Sequence, residues 1–279
     1  MPELPEVETT KEGIKPHLEG QIITQVIVRN AKLRQPVSEQ LPHSCYGQKI
    51  RAVTRRAKYI IISLSQGYLL IHLGMSGHLR VLPASAPAQK HDHIDILLSN
   101  DKLLRYCDPR RFGLVLYFND APEAQPMLSH LGPEPLTEAF HQDYLQQKIK
   151  NKKQPIKSLI MDNHVVVGVG NIYAAESLFL AKIHPLSAAQ ALTASHCERL
   201  TQAIKSTLAQ AIEAGGTTLK DFYGFDGQPG YFKLSLQVYG RKQQPCFSCA
   251  SLIETVVISG RHSAYCPQCQ PLLSNRRLT

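Results

Sequence analysis

The spacing of four cysteines near the C-terminus constrains this chain most strongly. Cys246 and Cys249 form one Cys-x-x-Cys pair, and Cys266 and Cys269 form a second pair after 16 intervening residues. Two such pairs at this separation are typical of a tetrahedral zinc site with four thiolate ligands. Because four protein ligands leave no open coordination position, the zinc is predicted to be structural. Four free thiols, or a redox pair, are the less favoured alternative.

The residues between the two cysteine pairs predict a hairpin of the zinc-ribbon type. The apolar run Ile253–Ile258 is followed by Gly260, a pattern of two strands joined by a turn. Arg261 comes directly after that glycine, where its side chain could reach a backbone phosphate. The ribbon is therefore predicted to bind a phosphate backbone, and by itself it does not indicate an enzyme.

The charge of the chain favours a polyanionic partner. Its formal net charge is +9, and the residues from Asn151 onward contain 13 Lys and Arg against 7 Asp and Glu. Such an excess suits nucleic acid, although a merely soluble basic protein is the alternative. No apolar run approaches the roughly 18–20 residues of a membrane span, and no secretory signal is visible, so an intracellular location is predicted. The other cysteines are then predicted to be ordinary buried thiols: Cys45, Cys107 and Cys197.

Two hydrophobic patterns divide the rest of the chain. Before the Pro- and Gly-containing segment Leu131–Pro135, short β-branched runs with close turns indicate antiparallel sheets packed as a sandwich or flattened barrel. The predicted strands are Ile22–Val28, Tyr59–Leu64, Tyr68–Leu73, His78–Leu82, Ile94–Leu98, Leu103–Tyr106 and Leu114–Phe118. The predicted helices that follow are Glu138–Ile149, Ile156–Met161, Asn171–Leu180 and Ala194–Ala214.

The first residues could form a reactive site. Pro2 has a small side chain, of the kind after which the initiator methionine is usually removed, and removal would leave a secondary amine beside the carboxylate of Glu3. Such an amine is a nucleophile for carbonyl-like carbons, and the carboxylate could move the protons. Apolar residues at helical spacing predict that a helix begins here, whose N-terminus favours an anion. The alternative is that Pro and Glu are simply common in a first helical turn.

A glycine-rich turn precedes the predicted helix at Asn171. The segment Val165–Asn171 contains Gly168 and Gly170, and Asn171 is predicted to be the N-cap of that helix. Exposed N–H groups and the Asn amide would suit a phosphate, whereas an ordinary structural turn is the alternative.

Taken together, these motifs resemble those of formamidopyrimidine-DNA glycosylases, the bacterial base-excision enzymes for oxidised purines. The similarity extends from Pro2 to Gln270. The segments that carry it are Pro2–Val7, Arg55–Tyr59, His72–Gly77, Asp108–Gly113, Val167–Tyr173, Gly215–Asp221 and the four cysteines.

The resemblance implies an α+β fold in three parts. An N-terminal antiparallel β-sandwich with an N-terminal helix would span residues 1–133, a helical helix-two-turn-helix domain 134–240, and a four-cysteine zinc-ribbon hairpin with a tail 241–279. Damaged duplex DNA would lie in the cleft between the domains. The resemblance further implies one structural zinc ion, no redox cofactor, and a location in the bacterial cytosol or nucleoid. The sequence gives no sign of an obligate oligomer, so a monomer is predicted.

The resemblance also implies a role for individual residues. Pro2 would attack C1′ of the damaged nucleotide and form a Schiff base. Glu3 would transfer protons during base loss and sugar-ring opening, and Glu6 would support this site from the same helix. The flanking phosphates would be held by Lys58, Asn171 and Arg261, of which Lys58 and Arg261 would also serve as proton donors during β,δ-elimination. The remaining DNA contacts implied are His91, Met75, Arg110 and Phe112, and the loop over the lesion would contain Thr217, Thr218, Lys220, Phe222 and Tyr223.

Several alternatives stay open from the sequence. The endonuclease VIII branch of the same superfamily prefers oxidised pyrimidines, and a catalytically silent zinc-ribbon protein would explain the charge and the cysteines. Met75 could be a core residue, and Asp108–Gly113 could be a hairpin turn with exposed arginines. His91, Asp92 and His93 could resemble a metal cluster, but they are interpreted as strand residues near the DNA face.

Overall fold

The chain forms two compact units in this computed structural model, which describes residues 2–216 and 236–273. The first unit contains Met1–Ser129 and the described residues 212–216. The second contains His130–Ala211 and the described residues 236–273. The division into three domains stays a prediction.

The first unit begins with a helix, α1 (Leu4–Leu18). Glu3 is its N-cap and forms a reciprocal capping box with Glu6, in which the Glu3 N–H donates to Glu6 Oε2 at 2.8 Å. The prediction that a helix begins here is confirmed, and the apolar residues at helical spacing are buried: Leu4, Val7, Ile14 and Leu18. The helix therefore packs its apolar face into the core and carries its capped N-terminus at a defined position.

Two four-stranded antiparallel sheets complete the first unit. One sheet has the order β2-β3-β4-β8 and the other β1-β6-β7-β5. The strands are β1 (Ile23–Val28), β2 (Ile50–Arg56), β3 (Tyr59–Leu64), β4 (Tyr68–His72), β5 (His78–Pro83), β6 (Asp92–Leu98), β7 (Lys102–Cys107) and β8 (Leu114–Phe118). Short helices α2 (Leu41–Cys45) and α3 (Pro126–Ser129) and a 3-10 turn, Pro122–Ala124, accompany them. Apolar residues from both sheets and α1 form one buried cluster, as in a sandwich.

The second strand was not predicted. Strand β2 has the sequence Ile-Arg-Ala-Val-Thr-Arg-Arg and only two fully buried residues, Ile50 and Val53, so its hydrophobic pattern is weak. It is nevertheless paired along its length with β3 in a hairpin, and this pairing stabilises a strand whose own hydrophobic pattern is weak. The other predicted strands lie at or within two residues of the observed bounds.

A buried charge network joins the middle strands of the second sheet. The Arg105 guanidinium donates to both carboxylate oxygens of Asp95 at 2.8 Å and lies 3.3 Å from Asp92 Oδ2. Arg105 also donates to the carbonyl oxygens of Ala86 and Pro87, and thereby ties down the connection between β5 and β6. Burial alone would raise the pKa of Asp95, but hydrogen bonds from Arg105 and Arg29 outweigh it and lower that pKa.

We expect Asp95→Asn to lower the free energy of unfolding by about 3 kcal/mol at neutral pH, because it breaks a buried ion pair. Asp92 still contacts Arg105, which keeps the loss at the low end of the usual range. The folded-state pKa of Asp95 is lowered, so its contribution is complete above the unfolded pKa of about 4 and is lost as the pH falls through the folded pKa. The difference between parent and variant should therefore narrow at low pH.

Hydrogen exchange of the β6 and β7 amides in increasing urea measures this difference. Arg29→Gln is the matched control, because Arg29 contacts the same carboxylate at 2.6 Å but its side chain is 33% exposed. That change should cost less than about 1 kcal/mol. An Asp95→Asn variant as stable as the parent at pH 7 would contradict the prediction.

The second unit is helical and ends in a hairpin. The helices that begin in it are α4 (Gln142–Ile149), α5 (Ile156–Ile160), α6 (Asn171–Leu180) and α7 (Ala194–Glu213), whose last two residues belong to the first unit, and a 3-10 turn lies at Ala189–Ala191. The hairpin strands are β9 (Glu254–Ile258) and β10 (Arg261–Tyr265). Residues of α6 and the hairpin share a small buried cluster that includes Phe179, Val238 and Ile253. Among the described residues, no helix is long and apolar enough to cross a membrane.

Candidate functional site

The start of α1 brings three of the predicted site residues together. Pro2, Glu3 and Glu6 are all buried, and the capping box fixes Glu3 and Glu6 relative to one another. Gly216, at the end of the described part of the first unit, approaches Glu6 so closely that a Cβ there would lie 3.2 Å from Glu6 Oε1. Its φ of +83° also favours glycine. Glu6 is therefore held by the backbone on one side and by the cap on the other.

Lys58 lies in the turn between β2 and β3. The preceding residue, Ala57, has a φ of +53°, as the tight two-residue turn requires. Arg55 ties this turn to α1, because its Nε donates to Glu8 Oε2 at 2.6 Å and its Nη1 donates to the Ala57 carbonyl at 2.7 Å. The turn that presents Lys58 is thus anchored to the same helix that presents Pro2 and Glu3.

The positive charge of Lys58 affects the pKa of His72. Burial, together with the positive charges of Lys58 and Arg34, lowers the pKa of His72 to about 4. Its ring is therefore neutral near pH 7, and His72 Nδ1 accepts a hydrogen bond from the Gly74 N–H at 2.9 Å. This bond shapes the beginning of the loop that carries Met75.

Two loops cross from one sheet to the other side by side. The segment 73–77 connects β4 to β5, and the segment 108–113 connects β7 to β8. Their ends are neighbours, since His72 pairs with Leu114 and His78 pairs with Cys107. The alternative of a hairpin at Asp108–Gly113 is wrong, because β7 and β8 belong to different sheets. We call these two segments the crossover loops.

The crossover loops present three of the residues that are predicted to contact DNA: Met75, Arg110 and Phe112. Arg110 and Phe112 are exposed, with the Arg110 guanidinium 5.1 Å from the centre of the Phe112 ring. Phe112 is 47% exposed, so its ring is accessible to a partner. Met75 is partly buried, so its side chain is not enclosed in the core on all sides. His91 is also partly buried, and its carbonyl accepts from the Asp108 N–H at 3.1 Å.

The second unit brings together Asn171 and the neighbour of Arg261. The prediction of Asn171 as an N-cap is wrong, because Gly170 is the N-cap and Asn171 is the first helical residue. The Asn171 side-chain amide instead contacts the hairpin, where its Nδ2 donates to the His262 carbonyl at 3.1 Å. Arg261 is exposed at the start of β10, after a turn in which Ser259 and Gly260 both have positive φ.

Lys157 is a central residue of this region that the sequence reasoning missed. Its ammonium group donates to Asn171 Oδ1 at 2.6 Å and to Ser263 Oγ at 2.7 Å, although the residue is 1% exposed. It therefore joins α5, α6 and the hairpin. The available signal was a single lysine in the second position of α5, a helix whose other residues are apolar except for Ser158, and a buried lysine needs partners of this kind.

The four cysteines form a compact cluster that fits a zinc ion. Their Sγ atoms lie within 4.8 Å of one another, with 3.9 Å between Cys246 and Cys269 and 3.5 Å between Cys249 and Cys266. Tetrahedral coordination at Zn–S bonds of about 2.3 Å requires Sγ atoms roughly 3.8 Å apart. Backbone N–H groups of Ser248 and Cys269 donate to the Sγ atoms of Cys246 and Cys266 at 3.4 Å. The donor set and its spacing both suit Zn²⁺.

Comparison with known proteins covers most of the chain. The domain described as "Formamidopyrimidine-DNA glycosylase N-terminal domain" matches residues 1–115, and "Formamidopyrimidine-DNA glycosylase H2TH domain" matches residues 131–223. "Zinc finger found in FPG and IleRS" matches residues 243–272. The formamidopyrimidine-DNA glycosylase of Legionella pneumophila strain Philadelphia 1 is 61% identical over 98% of this chain and 100% of that relative. The chain belongs to the formamidopyrimidine-DNA glycosylase family.

Solved structures of formamidopyrimidine-DNA glycosylases have the same fold as this chain. The crystal structure of the Thermus thermophilus MutM (Fpg) protein superposes with a TM-score of 0.87 at 36% identity, over 97% of this chain and 99% of that one. The complex of a Lactococcus lactis Fpg mutant with DNA that contains Fapy-dG has a TM-score of 0.90 at 32% identity, over 97% and 100%.

These findings confirm the predicted family and the α+β fold class with its helix-two-turn-helix and ribbon. They also confirm the prediction of one structural zinc and the enzyme class, which is a DNA glycosylase with abasic-site lyase activity. The predicted lesion loop lies outside the described residues: Thr217, Thr218, Lys220, Phe222 and Tyr223.

Proposed function

We propose that this chain removes oxidised purines, namely 8-oxoguanine and formamidopyrimidines, from duplex DNA and nicks the abasic product by β,δ-elimination. The observation that carries the proposal is the buried set of Pro2, Glu3 and Glu6 at the start of α1 in a member of this family. Structures of a relative support it, since a mutant of the Lactococcus lactis Fpg has been crystallised with DNA containing Fapy-dG, and the Lactococcus lactis Fpg with DNA containing an abasic site.

Base removal uses the amine of Pro2, which becomes free once Met1 is removed. The amine nitrogen bonds to C1′ and loses its proton, while the bond from C1′ to the base breaks and the base leaves with a proton. Opening of the sugar ring then gives an iminium at C1′, and the ring oxygen takes a proton. Glu3 lies next to Pro2 and moves these protons, and the capping box with Glu6 holds it in place.

Strand cleavage follows from the positive charge of the iminium. The charge acidifies the C2′ proton, so its loss expels the 3′ phosphate; a second elimination expels the 5′ phosphate. Lys58 and Arg261 serve as the proton donors for these departures, and with Asn171 they hold the phosphates. Lys157 orients Asn171 through a 2.6 Å hydrogen bond. A zinc ion held by the four cysteines would take no part in these steps, because four thiolate ligands leave no open coordination position.

Access to the lesion requires the nucleotide to leave the base stack. Met75 and Phe112 fill the space that the nucleotide vacates, which offsets part of the lost stacking. Arg110 offers planar donors to the Watson–Crick edge of the unpaired base, so a cytosine is preferred there. His91 contacts the DNA backbone from the neighbouring loop. The partner is damaged double-stranded DNA, and the chain works as a monomer in the bacterial cytoplasm, at the nucleoid.

The substrate preference is tested by single-turnover excision from two duplexes. One carries 8-oxoguanine opposite cytosine, and the other carries thymine glycol opposite adenine. We expect faster release of 8-oxoguanine, because Arg110 and the Met75–Phe112 wedge suit a purine lesion opposite cytosine. Faster release of thymine glycol would favour the endonuclease VIII branch, and tight binding without excision of either would favour a silent DNA-binding protein.

A further inference from the structure

One buried carboxylate connects the two crossover loops. Asp108 is 0% exposed, and its Oδ1 accepts from Ser76 Oγ at 2.7 Å in the other loop. Its Oδ2 accepts from the Gly113 N–H at 2.9 Å and from the Tyr106 hydroxyl at 3.1 Å. Burial and the negative charge of Asp108 both raise the pKa of Tyr106, which keeps its hydroxyl a donor. All three groups donate, so both carboxylate oxygens act as acceptors.

The hydroxyl of Ser76 completes a bridge toward Arg110. While Ser76 Oγ donates to Asp108, it accepts from the Arg110 N–H at 3.1 Å. The Asp108 carbonyl accepts from His93 Nε2 at 2.8 Å, which fixes the start of the same loop against β6. The backbone between Met75 and Gly77 is thus bonded to the backbone that carries Arg110.

Close backbone packing leaves no room between the crossover loops. A Cβ on Gly74 would overlap the backbone of Phe112 and Gly113, and a Cβ on Gly113 would overlap Tyr106 Oη and the His72 carbonyl. The segment of Met75 and the segment of Phe112 therefore touch through main-chain atoms. A shift of either loop must move the other unless the hydrogen bonds at Asp108 break.

We propose that Asp108, acting through Ser76, is a positioning residue that sets Arg110 relative to Met75 and Phe112 and thereby determines discrimination of the opposite base. This inference rests on the proposed function, in which Arg110 reads the unpaired cytosine. Asp108 touches neither the DNA nor Pro2 in this role. Through Ser76 it fixes the backbone N–H of Arg110 next to the segment of Met75, and planar pairing of the Arg110 guanidinium with a base edge is sensitive to where that backbone lies.

The test compares excision of 8-oxoguanine opposite cytosine with excision opposite adenine. Ser76→Ala removes the bridge between the crossover loops but leaves the bonds of Asp108 to Gly113 and Tyr106. We expect the ratio of kcat/KM for cytosine over adenine to fall by about tenfold, the size of one lost hydrogen bond to a buried charge. Cleavage of an abasic site in single-stranded DNA offers no opposite base, and its rate should change much less than this ratio.

A matched control separates this effect from the loss of any buried serine hydroxyl. Ser187 is 0% exposed in the second unit, and its Oγ accepts from the Leu273 N–H at 3.1 Å. Ser187→Ala should keep the parental ratio. Asp108→Asn is the second variant, because an amide supplies only one acceptor oxygen for groups that all donate. It should lower the ratio as well, and adding Ser76→Ala to it should give less than the sum of the two effects.

Two results would overturn the inference. One is a Ser76→Ala variant that is folded, by circular dichroism, and keeps the parental ratio. The other is a fall in both opposite-base rates, and in single-stranded cleavage, by the same factor, which would indicate a general structural role. If the proposed function itself were wrong, the parent protein would release no 8-oxoguanine opposite cytosine. That outcome differs from both results above.

Discussion

Replacing Pro2 with glycine is expected to slow excision of 8-oxoguanine by at least about a hundredfold. The secondary amine of proline can form only a cationic iminium, whereas the primary amine of glycine gives an imine that must be protonated before it withdraws electrons. The pyrrolidine ring also fixes the direction of the nitrogen, and glycine frees it. Single-turnover rates on a duplex with 8-oxoguanine opposite cytosine measure the effect.

The covalent intermediate gives a direct second measurement. Borohydride reduces the iminium and leaves the protein bonded to C1′, so mass spectrometry can map the modified residue. In the parent we expect the adduct on the Pro2 nitrogen, which would also show that Met1 is removed. An adduct on Lys58 would instead assign the nucleophile to the β2–β3 turn.

Pro5→Ala is the matched control for the loss of a proline near the N-terminus. Pro5 lies in the first turn of α1 and is buried, but its nitrogen is within the chain and cannot attack a substrate. The variant should keep excision within about threefold of the parent, since alanine is compatible with a first helical turn. A Pro2→Gly variant as fast as the parent would refute the nucleophile assignment.

Local patterns were sufficient for much of the fold. Helix α6 has the predicted bounds, Asn171–Leu180, and the cysteine spacing predicts a cluster that the structure brings together. Both features depend on residues close in sequence. The prediction failed for β2, because only two of its residues are fully buried and its apolar pattern is weak even though it pairs with the adjacent β3. It also failed for the N-cap at Asn171, whose amide instead donates to the carbonyl of His262, 91 residues away.

The least predictable part of the candidate site is the coupling between loops. Nothing near Ser76 indicates that its hydroxyl meets Asp108, 32 residues later, because the contact exists only after β4 and β8 pair and both loops cross between the sheets. Lys157 is similar, since its partner Ser263 is 106 residues away. A family motif can reveal that such residues matter, but the sheet topology supplies the physical reason.

Loss of the zinc ion should disrupt the hairpin and with it the phosphate contacts of the second unit. The small apolar cluster beneath the hairpin includes two of the zinc ligands, Cys246 and Cys266, so few contacts remain without the metal. Structural zinc contributes on the order of 10 kcal/mol to the folding of isolated zinc fingers. Cys266→Ser should therefore lose zinc and displace Arg261, which begins β10.

Affinity for a duplex with a non-cleavable abasic analogue, measured by anisotropy at several salt concentrations, tests this expectation. The dissociation constant should rise by at least about tenfold. The slope of log K against log salt should decrease in magnitude by about the contribution of one phosphate contact.

Cys197→Ser is the control, because Cys197 is equally buried in α7 but is not a ligand, so zinc content and affinity should stay near parental values. If Cys266→Ser lost its zinc and kept both the affinity and the salt slope, the hairpin would have no part in binding DNA. Because the zinc takes no part in the Pro2 chemistry, saturating DNA should still yield a borohydride adduct with the Cys266→Ser variant.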